Sequence, residues 1–313
     1  MLTLDNTLKI WYDNTAKRNH LRRNLLKIAI TTDSNSGILP NEYMDKGVFV
    51  LLMPFLIDGE LYFENVNLTQ EQFYEKLTAN AEVSTSQPSV GEVTEFWTEI
   101  LKEYDFIVHI PMSSALSKSC ETAQILAKDF NGKVFVVDNK RISVPLKQSV
   151  LDAVALRENG KNAQEIAEYL EETGSCSSIY IAVDSMKYLK KGGRVTPAAA
   201  MIGTILKIKP VLQIQGGKLD RYALVHNLVK AKIAMKTAIK NDLEKTFASY
   251  KEKGEMAIYV AHTQNLTQAK AFVEELKKDF PDIPVLYCEP LPLSVSCHIG
   301  PGALAVSCTR RFL

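Results

Sequence analysis

Cysteine is scarce and scattered in this chain of 313 residues. Its five cysteines are odd in number and include no Cys-x-x-Cys pair, which argues against a disulfide framework and against a structural zinc site. The five histidines are never four residues apart, so a helical metal site is also unsupported. We therefore expect no metal and no other cofactor, and we expect a reducing, cytoplasmic setting.

Long apolar runs and an excess of one charge are also missing. No run approaches the roughly 18 apolar residues of a membrane span, and the N-terminus lacks the order of a signal peptide. Lys plus Arg number 37 against 36 for Asp plus Glu, so no global field attracts nucleic acid or an acidic membrane. We expect a soluble protein with no nucleic-acid partner and no stable membrane insertion.

The usual catalytic motifs are absent as well. The chain contains no phosphate-binding Gly-x-x-x-x-Gly-Lys-Ser/Thr, no Gly-x-Gly-x-x-Gly after a strand and no Gly-x-Ser-x-Gly elbow. Gly216-Gly217-Lys218 is more typical of a turn than of a phosphate cradle. No motif therefore assigns the chain to an enzyme class.

The chain does contain a clear order of elements. Strands alternate with helices over residues 28–177, which predicts an α/β domain with a mostly parallel sheet. The pattern changes at residue 178 and predicts a second, α+β domain over residues 178–313. Residues 1–27 mix basic and apolar side chains and predict a helical extension that packs on the body or on a second subunit. Binding to a membrane surface is the alternative for that extension.

Local signals place individual elements. Residues 48–57 form one apolar run and predict a continuous buried strand, which Asp58-Gly59 turns into a hairpin. Capping-box sequences begin helices at residues 70 and 90. A long helix is predicted over residues 227–253, and the apolar residues 198–208 predict a helix able to line a cavity or to pack in the core.

A turn rich in serine joins the strand at residues 106–110 to the helix that follows it. Ser113, Ser114, Ser117 and Ser119 lie where the first helical N–H groups lack partners and the helix dipole is positive. Such a crevice suits a carboxylate or a phosphate. The alternative is that one or two serines cap the helix and the others are solvated. His109 lies within the strand and is interpreted as a buried core histidine.

Six turns in this chain resemble those of the DegV family, in that family's order, between residues 28 and 309. They are Asp33-Ser34, Ser84-Thr85-Ser86-Gln87-Pro88-Ser89, Ser113-Ser114-Ala115-Leu116-Ser117, Gly192-Gly193-Arg194, Ile208-Lys209-Pro210-Val211-Leu212 and His298-Ile299-Gly300-Pro301-Gly302-Ala303. The resemblance implies a non-catalytic protein that holds one long-chain fatty acid between its two domains. It also implies that the acyl carboxylate is presented to a separate, ATP-dependent fatty-acid kinase subunit.

The resemblance further implies a set of binding residues. Thr85 and the serines match carboxylate-binding turns, Arg194 matches a basic residue that assists phosphoryl transfer, and His298 matches a position near the ligand head. The full predicted set is Ser34, Thr85, Ser86, Ser113, Ser114, Ser117, Arg194, Ile202, His298 and Gly300.

Two departures separate this chain from the family pattern. Lys118-Ser119 replaces the usual Gly-Thr of the serine turn, and Val225-His226-Asn227-Leu228 lacks the arginines associated with kinase docking. The second departure bears on the kinase partner more than on lipid binding. The alternatives are a serine-dependent acyl hydrolase, a phosphotransferase-like enzyme that uses His298, and a lipid-responsive regulator without a kinase partner.

Overall fold

A computed structural model of the protein describes residues 26–202 and 208–313. Nearly all of the predicted extension over residues 1–27 lies outside the described residues. Residues 203–207 of the helix predicted over residues 198–208 also lie outside the described residues. A short helix, Pro197–Ala200, is described at the start of that range. The boundaries of the two predicted domains, 28–177 and 178–313, stay predictions.

Strands and helices alternate through most of the described chain. The strands are β1 (Ile28–Asp33), β2 (Val48–Leu51), β3 (Phe55–Ile57), β4 (Glu60–Tyr62), β5 (Val83–Thr85), β6 (Phe106–Ile110), β7 (Val134–Val136), β8 (Ser177–Ala182), β9 (Lys209–Ile214), β10 (Asp220–Val225), β11 (Met256–His262), β12 (Val285–Pro290) and β13 (Leu304–Arg310). The α-helices are α1 (Gln70–Thr78), α2 (Val90–Ile100), α3 (Ser119–Leu126), α4 (Val144–Glu158), α5 (Ala163–Glu172), α6 (Lys187–Gly192), α7 (Pro197–Ala200), α8 (Leu228–Asn241), α9 (Ala248–Glu252), α10 (Leu266–Asp279) and α11 (Leu293–Ile299).

The first sheet, here the parallel sheet, has the strand order β2-β1-β6-β7 and is parallel at every pairing. Both of its faces are covered: Ala29 and Ile107 pack in one core cluster with Trp97 of α2, while Ile30 packs in another with Leu146 of α4. Coverage on both faces explains why apolar residues follow one another along these strands instead of alternating with exposed polar ones. The predicted layered α/β arrangement is confirmed.

The second sheet, here the mixed sheet, has the strand order β10-β9-β8-β13-β11-β12. Only β11 and β12 pair in parallel among these strands. Successive residues of β13 point to opposite faces: Val306 packs in a core cluster with Met235 of α8 and Phe272 of α10, whereas Ala305 packs on the face toward the first sheet. The mixed sheet therefore offers one face to its own helices and the other to the rest of the protein.

A third, antiparallel sheet, here the hairpin sheet, has the order β4-β3-β5. The prediction of one strand over residues 48–57 is wrong, because β2 ends at Leu51 and β3 begins at Phe55 in the hairpin sheet. Pro54 lies at this break and has no N–H for continuing a ladder. The predicted hairpin at Asp58-Gly59 is confirmed, with φ angles of 52° and 85°.

Both helix starts predicted from capping boxes are confirmed. Both capping boxes form, with the side chains of Thr69 and Ser89 accepting from the N–H groups of Gln72 and Glu92. The long helix predicted over residues 227–253 is divided, since a π-helical turn at Asp242–Thr246 separates α8 from α9. Turns of this kind accommodate an extra residue within a helix.

His109 is a core histidine, as the sequence predicts. It is 2% exposed, and its Nδ1 lies 2.8 Å from the hydroxyl of Thr31 on the neighbouring strand. Burial lowers the pKa of His109 to about 3. The imidazole is therefore neutral at physiological pH and serves the packing of the parallel sheet.

Candidate functional site

A cavity of about 290 Å³ lies between the parallel sheet and the mixed sheet. One side is formed by residues that follow the carboxyl ends of β1 and β6, namely Asn35, Met112 and Leu116. Ligands in open parallel sheets bind at this edge. The opposite side is the face of the mixed sheet that points away from α8 and α10.

Most of the cavity wall is apolar. Alternate residues of four adjacent strands point into it because side chains two apart on a strand share a face. The apolar lining includes Ile179, Ile181, Ile214, Tyr259, Ala261 and Ala305 from the mixed sheet, and Ile142, Val144, Leu189, Leu219, Leu291 and Ile299 from surrounding elements. This long apolar region is called the tail end below.

The other end of the cavity, called the polar end below, contains Thr85, Arg194 and His298. The Thr85 hydroxyl lies 2.8 Å from Nε2 of His298, which joins the hairpin sheet to the last turn of α11. Gly192 approaches the other side of the imidazole so closely that a Cβ there would collide with Nδ1. Only glycine fits this position without displacing the ring.

Burial, together with the nearby Arg194 guanidinium, lowers the pKa of His298 to about 4. The imidazole is therefore neutral near pH 7 and carries a single N–H. If Nε2 carries that hydrogen, it donates to Thr85 Oγ and leaves the threonine hydroxyl hydrogen free to point into the cavity. The pair then supplies a neutral donor.

Arg194 adds a fixed positive charge to the polar end. Its Nη1 donates to the carbonyl of Gly192 at 2.5 Å, and its Nε donates to the carbonyl of Leu116 at 3.3 Å. These bonds link the turn after α6 to the serine turn (residues 113–119). A guanidinium has five N–H donors, so donors remain for an anion in the cavity. Within residues 26–202 and 208–313, no carboxylate forms an ion pair with Arg194.

Part of the serine turn also reaches the cavity. Ser117 and Lys118 line it just before α3 begins. Ser117 Oγ accepts a hydrogen bond from the N–H of Ser119 at 3.2 Å, and lies 3.0 Å from Ser119 Oγ. The Lys118 ammonium, which replaces a glycine of the family pattern, pairs with exposed Glu121 at 2.8 Å. An exposed pair of this kind holds the ammonium only weakly.

Of the ten predicted binding residues, Thr85, Ser86, Ser117, Arg194 and His298 line the cavity. The other five, Ser34, Ser113, Ser114, Ile202 and Gly300, are not part of the lining formed by the described residues. Their surroundings show what they do instead. Three of them are hydroxyls already engaged by other groups, one is a glycine that meets a tyrosine ring, and Ile202 is a buried residue of a hydrophobic core cluster.

Ser34 Oγ accepts from the backbone N–H of Met53 at 3.0 Å. Ser113 Oγ accepts from the N–H of Ala115 at 3.2 Å, and Ser114 Oγ accepts from Lys140 Nζ at 2.7 Å. Gly300 has a φ of 77° and lies so close to the Tyr188 ring that a side chain would collide with it. These residues hold turns that surround the cavity.

The carboxylate of Asp33 ties two of those turns together. Its Oδ1 accepts from the N–H of Asn35 at 3.0 Å, and its Oδ2 accepts from the N–H of Met112 at 2.9 Å. Burial raises the pKa of this carboxyl to about 6 despite these hydrogen bonds. Asp33 thus fixes the ends of β1 and β6 beside the cavity.

The sequence interpretation missed several lining residues. Asn35 and Ser294 line the cavity and are joined to each other, with Ser294 Oγ donating to Asn35 Oδ1 at 2.6 Å. Ser307 lines the tail end from β13. The alternation of residues 304–310 places Ser307 on the same face as Ala305, but it does not show which face meets the cavity.

The described residues hold neither a group of three or more acidic, histidine or cysteine side chains placed to bind a metal nor a helix able to cross a membrane. The prediction of no cofactor stays a prediction.

Comparisons with known proteins agree on one family. The sequence model of the family described as "Uncharacterised protein, DegV family" matches residues 27–311. A DegV domain-containing protein of Deinococcus radiodurans is 32% identical over 207 residues, which are 66% of this chain and 74% of the relative.

Solved structures resemble the fold along most of its length. A fatty-acid-binding DegV family protein from Streptococcus agalactiae has a TM-score of 0.81 at 27% identity and covers 92% of this chain and 100% of its own. A DegV family protein from Thermus thermophilus, described by its fatty-acid binding, has a TM-score of 0.79 at 25% identity and covers 91% of this chain and 100% of its own.

Proposed function

Because the chain belongs to the DegV family, we propose that it binds one long-chain fatty acid in the cavity between the parallel and mixed sheets. The observation that carries the proposal is a cavity that has a polar end and an otherwise apolar wall. The two solved relatives named above, which share the fold over nine-tenths of this chain, are described as fatty-acid-binding proteins.

The polar end suits a carboxylate. The Thr85 hydroxyl donates to one carboxylate oxygen while accepting from His298 Nε2, and Arg194 supplies the opposite charge nearby. Hydrogen bonds to a charged group contribute about 1.5–3 kcal/mol each. Ser117 and Ser86 lie in the same part of the lining and can complete the set.

The tail end supplies most of the affinity. Burying a sixteen-carbon chain at about 0.8 kcal/mol per methylene gives on the order of 12 kcal/mol before the cost of ordering the chain. The polar groups contribute less than this and have a different task. They determine the orientation of the acid in the cavity and the position of its carboxylate.

We further propose that the protein presents the carboxylate to a separate, ATP-dependent kinase and does not itself catalyse a reaction. A second cavity of about 300 Å³ lies on the other side of the polar end and shares Thr85, Arg194 and His298 with the first. Lys187 and Lys191 also line it, and both are exposed. A phosphate-bearing partner could therefore reach the carboxylate from outside.

The sequence of the expected docking segment does not support a kinase partner. Residues 225–228 lack the arginines that the family resemblance associates with docking. A lipid-responsive regulator without a kinase partner therefore remains the second candidate. Capture of a kinase subunit by the tagged, lipid-loaded protein would support presentation, and transfer of phosphate to the bound acid by that subunit would establish it.

The acyl hydrolase alternative has little geometric support. In the part of the chain that the structure describes, no serine hydroxyl hydrogen-bonds to a histidine, which a serine nucleophile needs for activation. His298 instead pairs with Thr85.

The proposed ligand is tested by mass spectrometry of organic extracts from protein purified under non-denaturing conditions. We expect one long-chain fatty acid per chain. Protein that yields no fatty acid, and that also fails to take up an added long-chain acid in calorimetry, would exclude the proposed function.

A further inference from the structure

One polar atom in the tail end has no partner. The hydroxyl of Ser307 is buried, with the residue 1% exposed, and it makes no hydrogen bond to any of the described residues. Ser307 also lines the cavity. A buried hydroxyl without a partner costs about 1–3 kcal/mol, and a ligand group that pairs with it would remove that cost.

The strands beside Ser307 do not supply that group. Its cross-strand neighbours are Ile179 on β8 and Tyr259 on β11. Isoleucine has no polar atom in its side chain, and the Tyr259 hydroxyl donates to Gln148 Oε1 at 3.0 Å. Ser307 instead belongs to the lining of the cavity.

A second hydroxyl on the same face of β13 provides a comparison. Thr309 lies two residues further along and is also buried, but its Oγ1 lies 2.8 Å from Ser177 Oγ on the paired strand. The sheet therefore satisfies a buried hydroxyl by a cross-strand partner where no cavity is present. Beside the cavity it leaves Ser307 unpaired.

We propose that Ser307 is a specificity-determining residue that favours acyl chains carrying a hydroxyl group part-way along the tail. The inference rests on the proposed function, because it assumes that an acyl tail fills the cavity. The tail hydroxyl donates to Ser307 Oγ or accepts from it, which gives the buried serine the partner that it lacks. An unsubstituted tail covers the serine and leaves it unpaired.

The position of Ser307 sets a register for this contact. β13 begins directly after the turn that follows His298, and Ala305 lines the cavity before Ser307 does. Two residues of a strand span about 7 Å, the length of several methylene groups. For a tail that runs along β13 from the polar end, the favoured hydroxyl therefore lies several carbons further from the carboxylate than one placed beside Ala305.

The test measures the affinities of octadecanoic acid, of a series of monohydroxylated octadecanoic acids with the hydroxyl at successive positions, and of a cis-unsaturated acid of the same length. For each hydroxylated isomer, the affinity is divided by that of octadecanoic acid. With the wild-type protein, this ratio should be about three- to tenfold higher for one isomer than for the others. Ser307→Ala should remove that preference and leave octadecanoic acid bound at least as tightly.

A variant with a relocated hydroxyl sharpens the result. Ala305→Ser combined with Ser307→Ala keeps one serine on the wall, so the preferred isomer should shift toward the carboxylate by several carbons. Circular dichroism and thermal melting check that each variant is folded. A folded double variant with an unshifted preference would contradict the register.

The outcomes separate this inference from the proposed function. Octadecanoic acid bound by wild type and Ser307→Ala, with no isomer preferred by either, overturns the role of Ser307 and leaves fatty-acid binding intact. A preference for one hydroxylated isomer that survives Ser307→Ala assigns selectivity to cavity shape and also overturns it. Failure of every acid to bind removes both proposals.

Discussion

The two ends of the cavity are built in different ways. The polar end brings together Thr85, Arg194 and His298 from three separate segments, each held by a hydrogen bond to another segment. The tail end is made of alternate residues on adjacent strands whose spacing the sheet fixes. Substitutions at the polar end should therefore weaken fatty-acid binding by removing individual hydrogen bonds. Substitutions at the tail end should instead affect binding through the side-chain volume that they add.

The largest effect should come from filling the tail end. Ala305→Trp places a large ring where the tail would lie and should displace four or more methylenes, weakening binding by about a hundredfold or more. Calorimetry with a long-chain acid measures it. Ala271→Trp on the exposed side of α10 makes the same change away from the cavity and should have no effect.

Overpacking could also destabilise the variant, so circular dichroism must show that Ala305→Trp is folded. Folded Ala305→Trp that still binds the acid with wild-type affinity would mean that the tail lies elsewhere, and the comparison between the two ends would fail.

The polar end should give an intermediate effect. Thr85→Ala removes the hydroxyl that links His298 to the carboxylate and should weaken fatty-acid binding by about 1–3 kcal/mol while the fold persists. Thr98→Ala, at an exposed position of α2, is the matched control. If Thr85→Ala unfolds the protein, Thr85 is a structural residue and its place in the site is lost.

The neutral imidazole makes the polar end sensitive to pH. Because the pKa of His298 is about 4 in the folded protein, against 6.5 ordinarily, the unfolded chain takes up a proton in this range that the folded protein does not. The free energy of unfolding should therefore fall as pH falls from 6.5 to about 4, by about 3 kcal/mol. Below pH 4 this contribution becomes constant.

Denaturant titrations of wild type and His298→Gln across this window measure the contribution as a difference. The difference is needed because burial raises the pKa values of Asp33 and Asp152 to about 6, and these groups favour the folded state as pH falls. Ile181→Val in the tail end should follow the wild-type profile. Parallel profiles for wild type and His298→Gln would show that His298 is not held neutral by the fold.

The smallest effects on fatty-acid affinity should come from substitutions in the serine turn. They distinguish serines that line the cavity from serines that only stabilise the turn. Ser114→Ala removes a hydroxyl that Lys140 already occupies, so affinity for the acid should change by less than about twofold. Ser117→Ala removes a hydroxyl that lines the cavity and should weaken binding by a few-fold. A larger loss of affinity for Ser114→Ala than for Ser117→Ala would place the carboxylate on the Lys140 side of the turn.

Much of the fold was predictable because its signals are local. The alternation of apolar strands and helices predicts the parallel sheet, and the capping boxes at Thr69 and Ser89 fix helix starts through side chains three residues apart. The break between β2 and β3 was not predicted, because the apolar run continues through Pro54. The π-helical turn at Asp242–Thr246 was not predicted either, since residues 227–253 are helix-forming throughout.

The site was predictable only in part, for a related reason. Family resemblance singles out Thr85 and His298, but their contact joins residues 213 positions apart and depends on how α11 packs against the hairpin sheet. The same long-range packing decides that Ser117 lines the cavity while Ser113 and Ser114 do not. Ser307 gave no local signal, because a serine on a buried strand is informative only when the neighbours across the strands are known.

The central claim is that a fatty acid occupies the cavity with its carboxylate at the polar end. A crystal structure of the protein loaded with octadecanoic acid tests it most directly. The account predicts a carboxylate within hydrogen-bond distance of Thr85 Oγ and a tail that passes Ala305 and reaches Ser307. An empty cavity in protein that binds the acid in solution, or a tail with its carboxylate beside Ser307, would contradict it.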